Sequence, residues 1–250
     1  MKMRIIVLGS GTSTGVPQIG CNCQVCTSDD KHDKRLRASV LIEMGESTIL
    51  IDCGPDFRQQ MLQHYTSKLK SILITHGHYD HVGGLDDVRP FGMVQIYAEA
   101  AVTNQIRQSM PYCFKTELYP GVPLLTLNSI TTATFEIDGI KIVPIRIMHA
   151  ELPILGFRIG NFAYITDLKS ISDDELMKLK GLELLIINAL RIQPHISHIT
   201  IDEAVVFANK IGANKTYFTH FSHDAGLHVE IEKKLTDNIF PAYDGLIIEI

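Results

Sequence analysis

Short apolar runs rich in Ile, Val and Leu recur along the chain, bounded by Gly, Pro, Asn or Asp and interleaved with segments of helical period. The runs read as strands and the segments between them as helices. In the first half the pattern predicts strands over 4–8, 39–43, 48–52, 71–75 and 95–98, the second and third forming a hairpin across 44–46. Helices are predicted over 55–63, where Pro55 suits a first turn, from 83 to 88, and over 100–109. In the second half, strands over 131–136 and 141–147 turn at Asp138-Gly139, and strands over 156–159 and 162–166 turn at Gly160-Asn161. Further strands fall at 184–188, 215–219 and 246–250. Ser172-x-x-Glu175 and Thr200-x-x-Glu203 read as capping boxes opening helices that stop at Gly181 and Gly212, and a last helix spans 227–235. Two strand-rich halves, each closing in alternating helices and strands, predict an α/β fold of two packed sheets flanked by helices. No linker, repeat or low-complexity stretch interrupts the chain, so residues 1–250 are expected to form a single domain.

Directly after the run 71–75 stands His76-Gly77-His78-Tyr79-Asp80-His81, with four metal-ligand side chains in six positions. They fall in a loop at the C-terminal end of a buried strand, where α/β proteins gather their chemistry. A His-rich surface loop would need no such spacing. His76 and His78 can reach one ion, Asp80 and His81 a second. A mixed imidazole–carboxylate set suits zinc, manganese or iron rather than calcium or magnesium. Three downstream residues share this setting: His149 follows 141–147, Asp167 follows 162–166, and His220 follows 215–219. Singly, each would be an ordinary loop residue. Together they make seven ligands, with His76, His78 and His149 on one ion, Asp80, His81 and His220 on the other, and Asp167 bridging.

Composition narrows the reading. The chain has 250 residues, is 45% hydrophobic and carries a net charge of −5. That is core enough for one large domain, and the charge disfavours a protein that grips extended nucleic acid electrostatically. No apolar run reaches the length of a transmembrane helix, so no membrane partner is expected. The apolar stretch near the N-terminus is too short for a signal peptide and runs into a Gly-rich turn, which predicts a cytoplasmic protein. Five cysteines, three of them in Cys21-Asn22-Cys23-Gln24-Val25-Cys26, argue for metal binding in a reducing compartment over a disulfide framework. Three such thiols can bind one face of a tetrahedral zinc, and His223, three residues after His220, is the best fourth ligand. Cys53 and Cys113 read as packed thiols.

His76-x-His78-x-Asp80-His81, followed in order by His149, Asp167 and His220, resembles the metallo-β-lactamase superfamily over essentially the whole chain. The resemblance implies an αββα sandwich with a dimetal site at one edge of its sheets. Asp167 stands where true β-lactamases of this fold have a cysteine, which disfavours antibiotic hydrolysis. His78 is not replaced by Glu, which disfavours the oxygen-reducing diiron branch. Such a site implies a metal-bridging hydroxide as nucleophile, and phosphodiesters gain most because the metals also neutralise their anionic oxygens.

Cys21-x-Cys23-x-x-Cys26 after the Gly-rich turn, with His223 shortly after His220, is similar to the PhnP-type branch, phosphoribosyl 1,2-cyclic phosphate phosphodiesterases. That likeness implies a structural zinc on Cys21, Cys23, Cys26 and His223, stapling the loop around 20–27 to the C-terminal half. It also implies that His198-Ile199-Thr200 matches a His-x-Thr serving substrate phosphate or leaving group. His198 would act as imidazolium acid or phosphate contact, with a pKa near working pH. Thr200 can also cap its helix. Asp80 would assist proton transfer from the bridging water. Arg191 is a candidate phosphate contact, as is Arg89, and His195 is either a loop residue or a further contact. The expected cofactors are two divalent ions, Mn2+ or Zn2+, plus one structural Zn2+. The expected partner is a small or cyclic phosphodiester, and a homodimer follows from base rates.

Three alternatives compete. A tRNA 3′-processing endonuclease would carry an extended arm, and no basic or Gly/Pro-rich insertion of that kind is found. A glyoxalase-type thioester hydrolase shares the seven ligands but leaves the cysteines unexplained. An inactive metal-binding interaction protein would be expected to have lost ligands.

Overall fold

The structure, a computed structural model, describes residues 2–64, 68–236 and 238–250. Its first half supplies β1 (Arg4–Gly9), α1 (Gln24–Thr27), β2 (Ser39–Met44), β3 (Ser47–Ile51), α2 (Phe57–Gln63), β4 (Ser71–Leu73), α3 (Tyr79–Val82), β5 (Met93–Glu99), α4 (Ala100–Ser109) and β6 (Leu124–Ile130). Its second half supplies β7 (Phe135–Ile137), β8 (Ile140–His149), β9 (Leu152–Ile159), β10 (Phe162–Ile165), α5 (Asp173–Met177), β11 (Leu184–Asn188), α6 (Ile201–Ile211), β12 (Lys215–Thr219), α7 (His228–Lys234), β13 (Ile239–Pro241) and β14 (Ile247–Glu249).

The strands form two seven-stranded mixed sheets, ordered β14-β1-β2-β3-β4-β5-β6 and β13-β12-β11-β10-β9-β8-β7. Each is antiparallel at one end and parallel at the other: β3 to β6 pair in parallel, as do β10 to β13. Both faces of each sheet are covered, which is why the central strands read as unbroken apolar runs. Ile5 and Val7 of β1 and Ile42 of β2 point between the sheets, against Phe157, Tyr164 and Ile186. Their alternate neighbours Ile6, Leu8 and Leu41 face outward onto Phe57, Met61 and Ile106 of α2 and α4. The outer face of the second sheet, with Ile165, Leu185 and Ile187, packs on Leu176, Ala204 and Ile231 of α5 to α7. The result is the expected α/β sandwich.

The departures from the sequence pattern have local causes. Of the strand expected over 131–136 only the end is kept, in β7, and β6 lies before it, because the exposed segment between them turns from one sheet to the other. β6, in which Leu124, Leu125, Leu127 and Ile130 are interrupted by Thr126, Asn128 and Ser129, and the three-residue β13 are not among the predicted strands. The helix expected from 83 to 88 is a 3-10 stretch, Leu85–Phe91, separated from α3 by Gly83 and Gly84. A Cβ on Gly84 would collide with the Gly54 carbonyl, so close backbone approach decides that break. The Ser172 box is only half made. Ser172 accepts from Glu175 N, but the Glu175 carboxylate is taken by Arg146 N at 2.8 Å and Lys178 at 2.7 Å, and α5 stops at Met177. The Thr200 box is complete, and Gly212 closes α6 in the left-handed conformation.

Candidate functional site

The C-terminal ends of β3, β4, β10 and β12 and the end of β8 meet at one edge of the sandwich. His76 and His78 follow β4, Asp80 and His81 lie within the single turn of α3, His149 ends β8, Asp167 follows β10 and His220 follows β12. All seven residues are thus brought together, although two of them sit on a helical turn where a loop was expected. Asp167, His220 and also Asp52, which follows β3, adopt positive φ angles of 57°, 61° and 63°. Left-handed backbone at non-glycine residues is a cost borne at sites that must aim a side chain.

The distances define overlapping groups whose ligand atoms lie within 4.8 Å of one another: His76, His78 and His149; His76, His81 and Asp167; and Asp80, His81 and His220. His76 Nε2 lies 2.8 Å from His78 Nδ1. Asp167 stands between the two halves, with Oδ2 3.4 Å from His81 Nε2 and Oδ1 3.2 Å from His220 Nε2. Asp80 Oδ2 is 3.1 Å from His81 Nε2.

The rings are oriented from behind. Asp52 accepts from Thr75 N at 2.9 Å, from the Thr75 hydroxyl, and from His81 Nδ1 at 2.7 Å. The Thr75 hydroxyl, having donated, is left to accept from His76 Nδ1 at 3.0 Å. His149 Nδ1 donates to the Ser197 carbonyl at 2.9 Å. Each of these bonds ties down the ring nitrogen away from the centre, so that Nε2 is the atom each ring turns toward it.

The electrostatics call for a cation. Asp52, Asp80 and Asp167 bring three carboxylates into one buried site, and histidines are the positive groups facing them. Burial alone would push His81 down, but Asp52 and Asp167 outweigh it and raise its pKa well above the usual value. Burial would likewise raise Asp167, yet His220 and His81 hold it well below the carboxylate range. His76, by contrast, is driven down by burial and by His81. Carboxylates stand near the buried Nε2 atoms of His81 and His220, but among the described residues neither atom has a well-aligned hydrogen bond. Unpartnered imidazole nitrogens pointing at a carboxylate are what a divalent ion would satisfy, so the donor set fits a metal.

His198 lies beside this centre, its Nδ1 3.7 Å from Asp167 Oδ1 and its ring 4.6 Å from His149 and 5.0 Å from His220. Burial, then His220, lowers its pKa to about 3. That shift runs against the value near working pH that the sequence suggests, with burial as its first cause and the neighbouring His220, His149 and His195 adding to it. The His195 ring lies 5.0 Å from His198, tilted by 36°, and its Nδ1 accepts from Ser197 Oγ at 3.1 Å, behind the carbonyl that orients His149. Thr200 is occupied as the N-cap of α6. Arg191 departs from expectation. Its guanidinium is engaged by the carbonyls of Gln193 and Pro194 and lies 3.7 Å from Asp224, so it braces the loop that carries His195 and His198. Arg89 pairs with Asp86 on the surface.

The second cluster joins the N-terminal loop to the residues after β12. His223 Nδ1 is 3.3 Å from Cys21 Sγ and 3.4 Å from Cys23 Sγ, and Cys26 completes a group within 4.8 Å. The Cys26 backbone amide and His223 pull the Cys23 thiol down to about 6, while burial raises Cys26 to about 11. A zinc ion would hold all the thiolates that the fold alone stabilises unevenly.

Three residues of the site's frame escaped the sequence reading. Asp52 was visible as an acidic residue after an apolar strand, the same signal that marked Asp167. Arg35 and Asp244 carried no signal. The buried Arg35 guanidinium donates to Ser10 Oγ at 2.8 Å and Ala242 O at 2.6 Å, meets His228 Nδ1 at 3.2 Å, and lies over the Phe221 ring beside His220. Asp244 accepts from Ser10 and Leu36, clamping the same loop.

Comparison with known proteins agrees with this geometry. The profile of the β-lactamase superfamily domain matches residues 47–221. A protein of Porphyromonas gingivalis named octanoyltransferase is 47% identical over 251 residues, covering 98% of this chain but 51% of that protein. The chain thus spans about half the length of the curated relatives it matches. Among solved structures, a diphosphatase of the PhnP family superposes with a TM-score of 0.94 at 41% identity, covering 100% of this chain and 98% of the other. Zinc-bound PqqB of Methylobacterium extorquens has the same fold, with a TM-score of 0.80, 19% identity and coverage of 99% and 100%.

Proposed function

From the premise that this chain belongs to the β-lactamase superfamily, as a PhnP-type metal-dependent hydrolase, we propose that it is a dimetal phosphodiesterase acting on small or cyclic phosphodiesters. The observation that carries the reading is Asp167, a buried carboxylate shared between the His81 and His220 nitrogens with His198 facing it at 3.7 Å. In this reading His76, His78 and His149 would hold one ion and Asp80, His81 and His220 the other, with Asp167 available to both. Cys21, Cys23, Cys26 and His223 would hold a zinc. Manganese and zinc both suit the imidazole–carboxylate set.

Divalent ions in such a site lower the pKa of water and neutralise phosphoryl oxygens. The chain's own residues supply the rest. Asp80 accepts the proton released as water attacks phosphorus. An incoming anionic phosphate would raise the His198 pKa, so that the ring takes up a proton from solvent and hydrogen-bonds a phosphoryl oxygen or passes that proton to the leaving alkoxide. Asp52 and the Ser197 carbonyl hold the His81 and His149 rings in register. The substrate is a small molecule, and neither a membrane nor an extended nucleic acid enters the proposal.

The test is an assay of bis(p-nitrophenyl) phosphate, 2′,3′-cyclic nucleotides and ribose 1,2-cyclic phosphate with added manganese or zinc. No turnover of any, with bound metal verified by elemental analysis, refutes the phosphodiesterase reading. A second reading, hydrolysis of a diphosphate, is favoured by the 41% identity to the PhnP-family diphosphatase over the whole chain. Turnover of a dinucleoside diphosphate in preference to all the diesters would establish it instead. The same analysis should count three metals per chain, falling to two in Cys21→Ser.

A further inference from the structure

Beside the His residues that follow β4, a groove of about 320 Å3 runs between α4 and the start of β9. That volume sits at the lower end of the roughly 300–1,000 Å3 common for small-molecule sites. Ala101 and Val102 line one wall and Leu152 and Pro153 the other, and His76 and His78 line it too. The groove therefore shares two residues with the first ligand group. Leu152 is 43% exposed although it is the register partner of His149, so an apolar side chain is held open to solvent next to a polar centre. A single exposed leucine needs no explanation; one beside Pro153 and across from Val102 in a cavity that abuts His78 does.

The groove holds no free charge. Its one carboxylate, Glu99, is held by both guanidinium nitrogens of Arg146, at 2.7 and 2.5 Å. Gln105 donates to Gly77 O at 2.5 Å and fastens α4 to the His segment, and a Cβ on Gly77 would collide with that side chain. Away from the His residues, a second phosphate would meet a neutralised carboxylate and aliphatic walls there. An uncharged ring would meet Val102, Leu152 and Pro153 on its faces.

We propose that the groove between α4 and β9 is a subsite for an uncharged, apolar ring carried by the phosphoryl substrate, adjoining His78. The proposal rests on the phosphoryl reading of the metal centre, and its test separates the two. Affinities of metal-loaded protein for phenylphosphonate and methylphosphonate are compared by calorimetry. The native chain is expected to prefer the phenyl compound by about tenfold. Ala101→Trp, an exposed helix position that would fill the groove, should bring that ratio to near one, and Leu152→Ala, which removes one wall, should reduce it about threefold. A native ratio near one, or a ratio kept in both variants, would overturn the subsite. If neither phosphonate binds while bound metal is verified, the phosphoryl reading fails, and the subsite with it. If the ratio behaves as expected but no diester is turned over, the subsite stands and the diesterase reading falls.

Discussion

Asp52→Asn is an isosteric change at a buried residue that touches no substrate. The native carboxylate accepts three donors: Thr75 N, the Thr75 hydroxyl and His81 Nδ1 at 2.7 Å. An asparagine can keep the Thr75 amide with its oxygen, but its NH2 then faces His81. It satisfies that ring only if Nδ1 becomes the acceptor, which moves the ring proton to Nε2, the nitrogen aimed at Asp80 and Asp167. To ligate, His81 must shift the proton back and leave a buried donor opposed to a donor. The charge-assisted bond lost is worth roughly 1.5–3 kcal/mol, or about one to two orders of magnitude in metal affinity, the range seen when residues supporting metal ligands are changed. The assay is competition of the apo-protein against a chelating dye, which resolves two affinity classes. The weaker-bound metal should lose about 10–100-fold while the cysteine site is unchanged. The apo-fold should hold its thermal midpoint, because burial already opposes ionised Asp52 and raises its pKa. Wild-type affinity in this variant would refute the claim that Asp52 sets the His81 tautomer.

Three further outcomes are expected. His198→Ala should cut kcat by about 10²–10⁴ with metal stoichiometry retained; loss of a metal ion would make His198 a ligand instead. His228, packed against Arg35 and His32, is held neutral with its pKa lowered to about 4 by burial and by Arg35. Its contribution to stability is therefore present above about pH 6.5 and lost as pH falls through about 4, so urea midpoints should decline less over that window in His228→Gln. An identical decline in both proteins would refute it. Thr200→Ala, which removes the complete capping box of α6, should lower unfolding free energy by about 1 kcal/mol in urea titration, with Thr200→Ser restoring most of it.

Much of the centre was legible because its chemistry is local or repeats a local setting. The spacing of residues 76–81 needs no tertiary argument, and His149, Asp167 and His220 each follow an apolar strand as that segment does. Asp52 has the same setting and was passed over, since a carboxylate that orients a ligand looks no different in sequence from one that packs a turn. Arg191 shows the opposite failure. An arginine near the site reads as a phosphate contact until the carbonyls of Gln193 and Pro194 are seen to hold it. Arg35 and Asp244 could not be read at all, since what makes them matter is their burial against each other's loop partners some two hundred positions away.

The sequence by itself determined the sandwich and the ligand types. Apolar runs bounded by turns must pair and be covered on both faces, and clustered His, Asp and Cys side chains have few uses other than binding metal. The ring nitrogen that faces the centre, the crowding of His198 by His149, His195 and His220, and the apolar groove beside His78 come from the tertiary structure. Those properties come from burial and from hydrogen bonds between residues far apart in the chain, and neither composition nor spacing encodes them.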